Sequence, residues 1–278
     1  MEKRSRSFRV LSVFFALFVL FLYGPILTIG ILSFQGPQGG LTFPMNGVSL
    51  HWFRDLFQEQ SVGDIWGSFR RSFALGFMVM ITTVVVSVLG GLAFRKRFGG
   101  ATVLFYLAIA SLVIPSILVS LGVGLIFNQL GLPIHWASSG FGSQLTWTLP
   151  FGLLIMFAVF NRFDKSYEEA ARDQGASAWQ TFAHVVLPII APSLLGVALF
   201  GFTLSYDEFA RTLLTAGSYN TLPLEIFGMT TNVTTPVIFA LGTLTTIFSF
   251  CIIAVFFVAV WFMSRRKGKV SDAGKGMV

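Results

Sequence analysis

Apolar residues along this chain gather in long runs separated by short polar stretches. A helix needs roughly 20 apolar residues to cross a hydrocarbon core of about 30 Å. Six segments reach or approach that length: Val10 to Phe34, Ser72 to Phe94, Ala101 to Phe127, Gln144 to Phe160, Ala191 to Leu214 and Val237 to Met263. The pattern predicts an all-α fold, a polytopic membrane helical bundle of six transmembrane helices forming one domain over residues 1–278. Lys3, Arg4, Arg6 and Arg9 precede the first run as they would in a signal peptide. That run is too long for one and lacks a small-residue cleavage pattern, so it reads as an uncleaved span.

The connecting segments carry their own signals. The loop from about 35 to 71 is rich in Gly and Pro at its start, then amphipathic around Leu50, Trp52, Phe53, Leu56 and Phe57, which predicts a short helix lying at the interface. The stretch from Asn128 to Ser143 has neither acid nor base and suits a tight packed turn. Pro115, inside the third run, removes one backbone hydrogen bond and kinks the helix, either as a packing feature or as a gating hinge. Asp164 to Pro188 is a polar insert that reads as two short helices. Ser166 with Glu169, and Ser177 with Gln180, have the spacing of capping boxes. Gly175 falls between them, where a left-handed residue would end the first helix, and Pro188 is acceptable at the start of the next.

Composition and charge then orient the runs. The chain is 54% hydrophobic and 11% charged, so water is not its main solvent. Fifteen of the 19 Lys and Arg fall on the amino terminus, the second-to-third loop (Arg95, Lys96, Arg97), the fourth-to-fifth loop (Arg162, Lys165, Arg172) and the tail, leaving Arg54, Arg70, Arg71 and Arg211 on the other side. The positive-inside rule then puts both termini in the cytoplasm. The basic charge therefore reads as membrane orientation and not as a nucleic-acid surface. The single cysteine, Cys251, excludes a disulfide framework. His51, His135 and His184 are scattered over different loops and sides, and no catalytic or metal-ligating spacing stands out. Glu225 reads as a solvated loop acid. The tail from Gly268 to Gly276 has a Gly-Lys pair, but not the spacing of a phosphate-binding loop, so the chain carries no ATP site of its own.

One segment is more specific. Glu169, Ala170, Ala171, three residues, Gly175, nine residues, then Val185, Val186, Leu187 and Pro188 resembles the EAA loop of ABC importer permeases, departing only in Val185 where that family has Ile. The resemblance implies a type I importer permease fold in which the loop at about 163–188 docks in a groove of a separate ATPase. Trp179, Phe182, Val185 and Val186 would anchor its second helix, and Glu169 either couples or only caps. It further implies a homologous permease partner, two ATP-binding subunits that hold the ATP and Mg, and a periplasmic substrate-binding protein, all at a bacterial inner membrane.

Other stretches resemble the spermidine/putrescine class within that family: Tyr23 to Pro25, Ile31 to Phe34, Ser49 to Phe57, Ser205 to Phe209 and Thr221 to Pro223. Importers of aminoethylphosphonate, opines, iron and thiamine share parts of these. For a cationic solute, Asp207 and Glu208 are the candidate pathway carboxylates, since an ionisable residue at membrane depth is costly without a role. The competing reading pairs them with Arg211, four and three residues further along one helix face. Tyr206 and Trp147 either line the path or belong to an interfacial aromatic belt.

Overall fold

The computed structural model of the chain describes residues 6–58, 63–232 and 235–275. Among the described residues eleven helices follow one another: α1 (Arg6–Leu32), α2 (His51–Asp55), α3 (Ile65–Phe94), α4 (Ala101–Val113), α5 (Ser116–Gln129), α6 (Phe141–Asn161), α7 (Ser166–Asp173), α8 (Ala178–Thr181), α9 (Leu187–Tyr206), α10 (Leu222–Asn232) and α11 (Val237–Lys275). Wider π-helical turns at Trp136–Gly140 and Phe182–Val186 lead into α6 and α9. Helix is therefore continuous from Trp136 to Asn161 and from Ala178 to Tyr206. Among the described residues five helices are long and apolar enough to cross a membrane, and α4 with α5 supplies a sixth if the pair is one span. Lys3 and Arg4 of the amino-terminal basic cluster, positions 59–62 of the first long loop and Gly276 of the tail lie outside the described residues.

The second and fourth runs, expected from Ser72 and Gln144, begin earlier as helix, at Ile65 and Trp136, and two further features differ from the hydropathy reading for physical reasons. The fifth run, expected over Ala191 to Leu214, is helical over Ala178–Tyr206. Phe209, Ala210, Leu213 and Leu214 extend the apolar run past the helix end, but hydroxyl side chains there satisfy loop backbone instead of a helix ladder. Thr215 Oγ1, for example, donates to the Arg211 carbonyl at 2.6 Å. Pro115 does far more than kink the third run, since α4 and α5 diverge by 111°. Ile114 is extended at ψ 129° and Pro115 follows at ψ 130°, because the proline ring disfavours helical backbone in the residue before it. The 13 residues of α4 reach about 20 Å at 1.5 Å per residue, too short to cross a core about 30 Å thick alone.

Two compact units can be distinguished. One comprises Met1–Ile65 with Ile226–Phe250. In its loop the fully buried Gln35 donates to the carbonyls of Gly40 at 3.3 Å and Thr42 at 3.5 Å and accepts the Asn46 N–H at 2.7 Å. The expected short amphipathic helix is α2, with Trp52 buried while Leu50 and Phe57 stay exposed.

The other unit, Trp66–Glu225 with Cys251–Val278, holds α3 to α9. Small residues let its long helices approach closely: a Cβ on Gly201 of α9 would lie 3.2 Å from the Met80 Cα of α3. Thr83 of α3 donates to Thr148 of α6 across a buried 2.8 Å hydrogen bond. Toward the end marked by Arg95, a core of Val88, Met156, Phe160, Val186, Ile190 and Val197 joins α3, α6, the Phe182–Val186 turn and α9.

Candidate functional site

At the basic end, the resembling loop is assembled mostly by bonds between near neighbours. Lys165, at helical dihedrals, precedes α7, so Ser166 is already inside the helix and the capping box expected with Glu169 does not form. The Asp164 carboxylate performs the start instead, accepting the Ser166 N–H at 3.0 Å. That bond, joined by one from the Ser166 hydroxyl, holds the Asp164 carboxyl below the usual aspartate range. Gly175 sits at φ +85° and ends α7 as expected. Its N–H donates to the Arg172 carbonyl at 2.8 Å, and the Ala176 N–H reaches back to the Ala171 carbonyl at 3.1 Å, the paired bonds of a Schellman ending. The second capping box is complete: Ser177 Oγ accepts the Gln180 N–H at 3.3 Å and Gln180 Oε1 accepts the Ser177 N–H at 2.8 Å. Pro188 then occupies the opening turn of α9.

The loop presents one surface outward and one inward. Glu169, Ala170, Gly175, Leu187 and Pro188 are exposed, with Ala171 and Val185 partly covered. Val186 is buried and Phe182 packs against the same core. Trp179, one of the residues expected to anchor the second helix, is 72% exposed, its ring meeting that of Phe182 at 5.7 Å. It thus offers apolar surface outward, while Val186 and Phe182 pack inward on the core.

A tie that no local spacing signals joins this loop to α3. Arg95 donates to both Glu168 oxygens at 2.7 and 2.8 Å, a bidentate fork. Its guanidinium also lies 5.4 Å from the ring centres of Phe160 and Phe163. The pair holds the Glu168 carboxyl below the usual glutamate range and raises Arg95 above its own. Lys96, Lys165 and Arg172 line a cleft of about 550 Å³ with this pair.

At the opposite end of α9 lie the candidate pathway residues. Tyr206 is buried, stacked on Phe202 at 5.7 Å and edge-on to Phe69 at 6.4 Å. Asp207 caps the helix and is exposed. Glu208 accepts the backbone N–H of Arg211 at 2.9 Å. The helix-face pairing of Asp207 and Glu208 with the Arg211 side chain is not what the structure holds, because the helix has already ended at Tyr206. The Arg211 guanidinium turns inward, fully buried, to Ser116 Oγ at 2.8 Å, Thr146 Oγ1 at 3.2 Å and the Ser111 carbonyl at 3.5 Å. It lies 4.7 Å from the Trp147 ring centre.

Ser205 Oγ also donates to Gln144 Oε1, tying α9 to α6. Sequence alone counts Arg211 among the outer-side charges and offers it as a helix-face partner for Asp207 and Glu208. The available signal was a lone arginine in an apolar run, answered by hydroxyl residues at 111, 116 and 146.

Residues 84–268 match the family described as binding-protein-dependent transport system inner membrane component. The spermidine/putrescine transport system permease protein PotC of Haemophilus influenzae is 28% identical over 240 residues, covering 84% of this chain and 90% of that protein. The putrescine transport system permease protein PotI of Escherichia coli K12 is 27% identical over 232 residues, 81% of each. A chain in the crystal structure of a bacterial ABC transporter involved in the import of the acidic polysaccharide alginate superposes with a TM-score of 0.61 at 19% identity, covering 97% of this chain and 99% of that one. The fold is that of an ABC importer permease, and the matched span includes the Glu169 to Pro188 loop and the Arg211 segment.

Proposed function

Since this chain belongs to the family of binding-protein-dependent transport system inner membrane components, we propose that it forms half of a translocation pathway for polyamines, small aliphatic polycations of the spermidine and putrescine kind. The relatives are permease proteins, so ATP hydrolysis belongs to a separate ATPase. In this reading both termini are cytoplasmic, by the distribution of Lys and Arg. The chain pairs with a homologous permease in a heterodimer, with two ATP-binding subunits and with a periplasmic binding protein that sets most of the affinity. The α1 apolar window, unburied inside this chain, is covered by lipid or by the permease partner.

The observation that carries coupling is the core shared between loop and spans. Val186 and Ile190, flanking Leu187 and Pro188, pack in one cluster with Val88, Met156 and Phe160. A displacement of α7 and α8 by the closing ATPases is passed on because a close-packed core shifts as a body instead of absorbing strain. The spans then exchange an inward-facing for an outward-facing arrangement, a shift between two states biased by nucleotide on the partner.

The polyamine assignment is supported by the names of the relatives and by Asp207, an exposed carboxylate beside the buried Tyr206, which can replace part of the water around an ammonium group. The test uses the full complex in proteoliposomes. Labelled spermidine uptake requires ATP and is competed by putrescine but not by aminoethylphosphonate. Asp207→Asn raises the KM about tenfold, the scale of one charge-assisted contact. Competition by aminoethylphosphonate with indifference to Asp207→Asn would overturn the solute, while uptake without ATP would overturn coupling.

A further inference from the structure

In a continuous helix the Ser111 carbonyl would accept the N–H of residue 115, but residue 115 is proline and has none. The missing N–H leaves the Ser111 carbonyl without its helical partner, among the carbonyls freed where α4 ends, and the break opens a new helix end at Ser116 on the α5 side. Arg211 reaches both. Its Nη2 lies 3.5 Å from the Ser111 carbonyl and its Nη1 donates to Ser116 Oγ at 2.8 Å, while Nε is held by Thr146 of α6 at 3.2 Å.

The residue is itself fixed from behind. Its carbonyl accepts Ser143 Oγ at 2.9 Å and Thr215 Oγ1 at 2.6 Å, and its N–H is held by Glu208. Two further contacts fasten the same segment: the Leu214 N–H donates to Ser120 Oγ of α5 at 3.0 Å, and Ser139 Oγ donates to the Thr215 carbonyl at 2.8 Å.

We propose that Arg211 is a positioning residue of the permease, a strut between the Asp207–Thr221 segment and the two halves of the Pro115 break that fixes the angle between α4 and α5. The chemistry suits arginine specifically. Its guanidinium stays charged and presents its donors in a rigid planar fork, so one side chain bonds acceptors on separate elements at once. A buried charge of that kind is costly at membrane depth and is retained for a role. The Trp147 ring, its centre 4.7 Å from the guanidinium carbon, adds a cation–π contact that helps hold the side chain in place. Because the segment runs on directly from α9, whose other end carries the coupling loop, a shift of α9 moves the strut and with it the break.

The single cysteine, Cys251, is exposed and is replaced by serine to give a clean background. Spin labels on Tyr106→Cys and Leu125→Cys, both on exposed positions of α4 and α5, report the angle in the full complex in nanodiscs. The expected result is a narrow distance distribution in the parent. In Arg211→Ala it is broadened and lengthened, with uptake reduced about tenfold or more, the effect of losing a charge-assisted buried bond. Arg211→Lys, a point donor, falls between the two, and Ser116→Ala moves the distribution less in the same direction. Adding Pro115→Ala to Arg211→Ala restores the missing N–H and collapses the distribution to one long, straight-helix distance. An unchanged distribution in Arg211→Lys and Ser116→Ala, or a double variant no straighter than Arg211→Ala alone, overturns the strut. The lysine and Ser116 variants decide the matter if Arg211→Ala does not assemble.

Discussion

The two ends of the long helices of the Trp66–Glu225 unit are built on opposite plans. At the basic end, Asp164 to Ser166, Arg172 to Gly175, Ala171 to Ala176 and Ser177 to Gln180 are bonds between residues at most five apart. At the other end, Arg211 bonds Thr146, Ser116 and Ser111, residues 65, 95 and 100 positions away. The first is a locally encoded module held outward, with Trp179 and Glu169 exposed. The second is a knot of tertiary contacts with its charge at zero exposure. A module that must dock on another protein keeps its shape independently of the spans. A segment that sets the geometry of the spans is defined by them.

The largest effect should come from breaking the local module where it has no slack. Gly175→Val places a β-branched side chain at φ +85°, which costs roughly 1–3 kcal/mol in place. The chain relieves that strain by swinging α8 away from α7. Uptake and transport-linked ATPase activity should be lost, while the protein still inserts and elutes with its partners on size exclusion. Normal uptake in this variant would remove the loop from the coupling path.

A somewhat smaller effect is expected where the module is tied to the spans. Glu168→Gln keeps size but loses the charge-assisted fork from Arg95, worth about 1–3 kcal/mol. A thermal-unfolding cycle with Arg95→Gln should show strong coupling between the two positions, whereas Glu169→Gln, on an exposed side chain, should leave stability unchanged. Additivity of the Arg95 and Glu168 variants would mean that the loop is not fastened to α3 by this pair.

The same tie has a pH signature smaller than its removal. The folded Glu168 carboxyl titrates below the usual glutamate value of 4.5, so the folded state holds fewer protons than the unfolded state through that region. The contribution is fully present above the unfolded value and disappears as pH falls through the folded one. The stability difference between the parent and Glu168→Gln should be flat from neutral pH down to about 5 and should shrink below it. A difference that grows on acidification would contradict the assignment.

Legibility from sequence follows the same division. Gly175, the Ser177 box and Pro188 were readable because each depends on neighbours a few residues away. The six apolar runs were readable because hydrocarbon imposes a length. The end of the fifth run was not, since Leu213 and Leu214 are as apolar as a span and only the fold shows the Leu214 N–H bonded to Ser120 of α5. The depth of the Pro115 break was also hidden, because proline signals a lost hydrogen bond but not the 111° angle that Arg211 and the Ser111 and Ser116 groups accompany. Even within the local module one reading failed. Ser166 has the spacing of a cap, yet Asp164, two residues earlier, brings a carboxylate to the same N–H.

The smallest effect, and the sharpest check on how local the module is, concerns Ser177. Replacing a serine cap by alanine costs about 1 kcal/mol, a factor of about five in a local equilibrium. Here half of the box survives, because Gln180 Oε1 still accepts the N–H of residue 177. Ser177→Ala should therefore lower uptake only a few-fold, and adding Gln180→Ala should deepen the loss. Neither change should alter the α4–α5 label distance, since no contact of this cap reaches the Arg211 segment. If the cap were felt at that distance, the two ends would not be separately encoded, and α9 would transmit even small disorder along its length instead of transmitting only its rigid displacement.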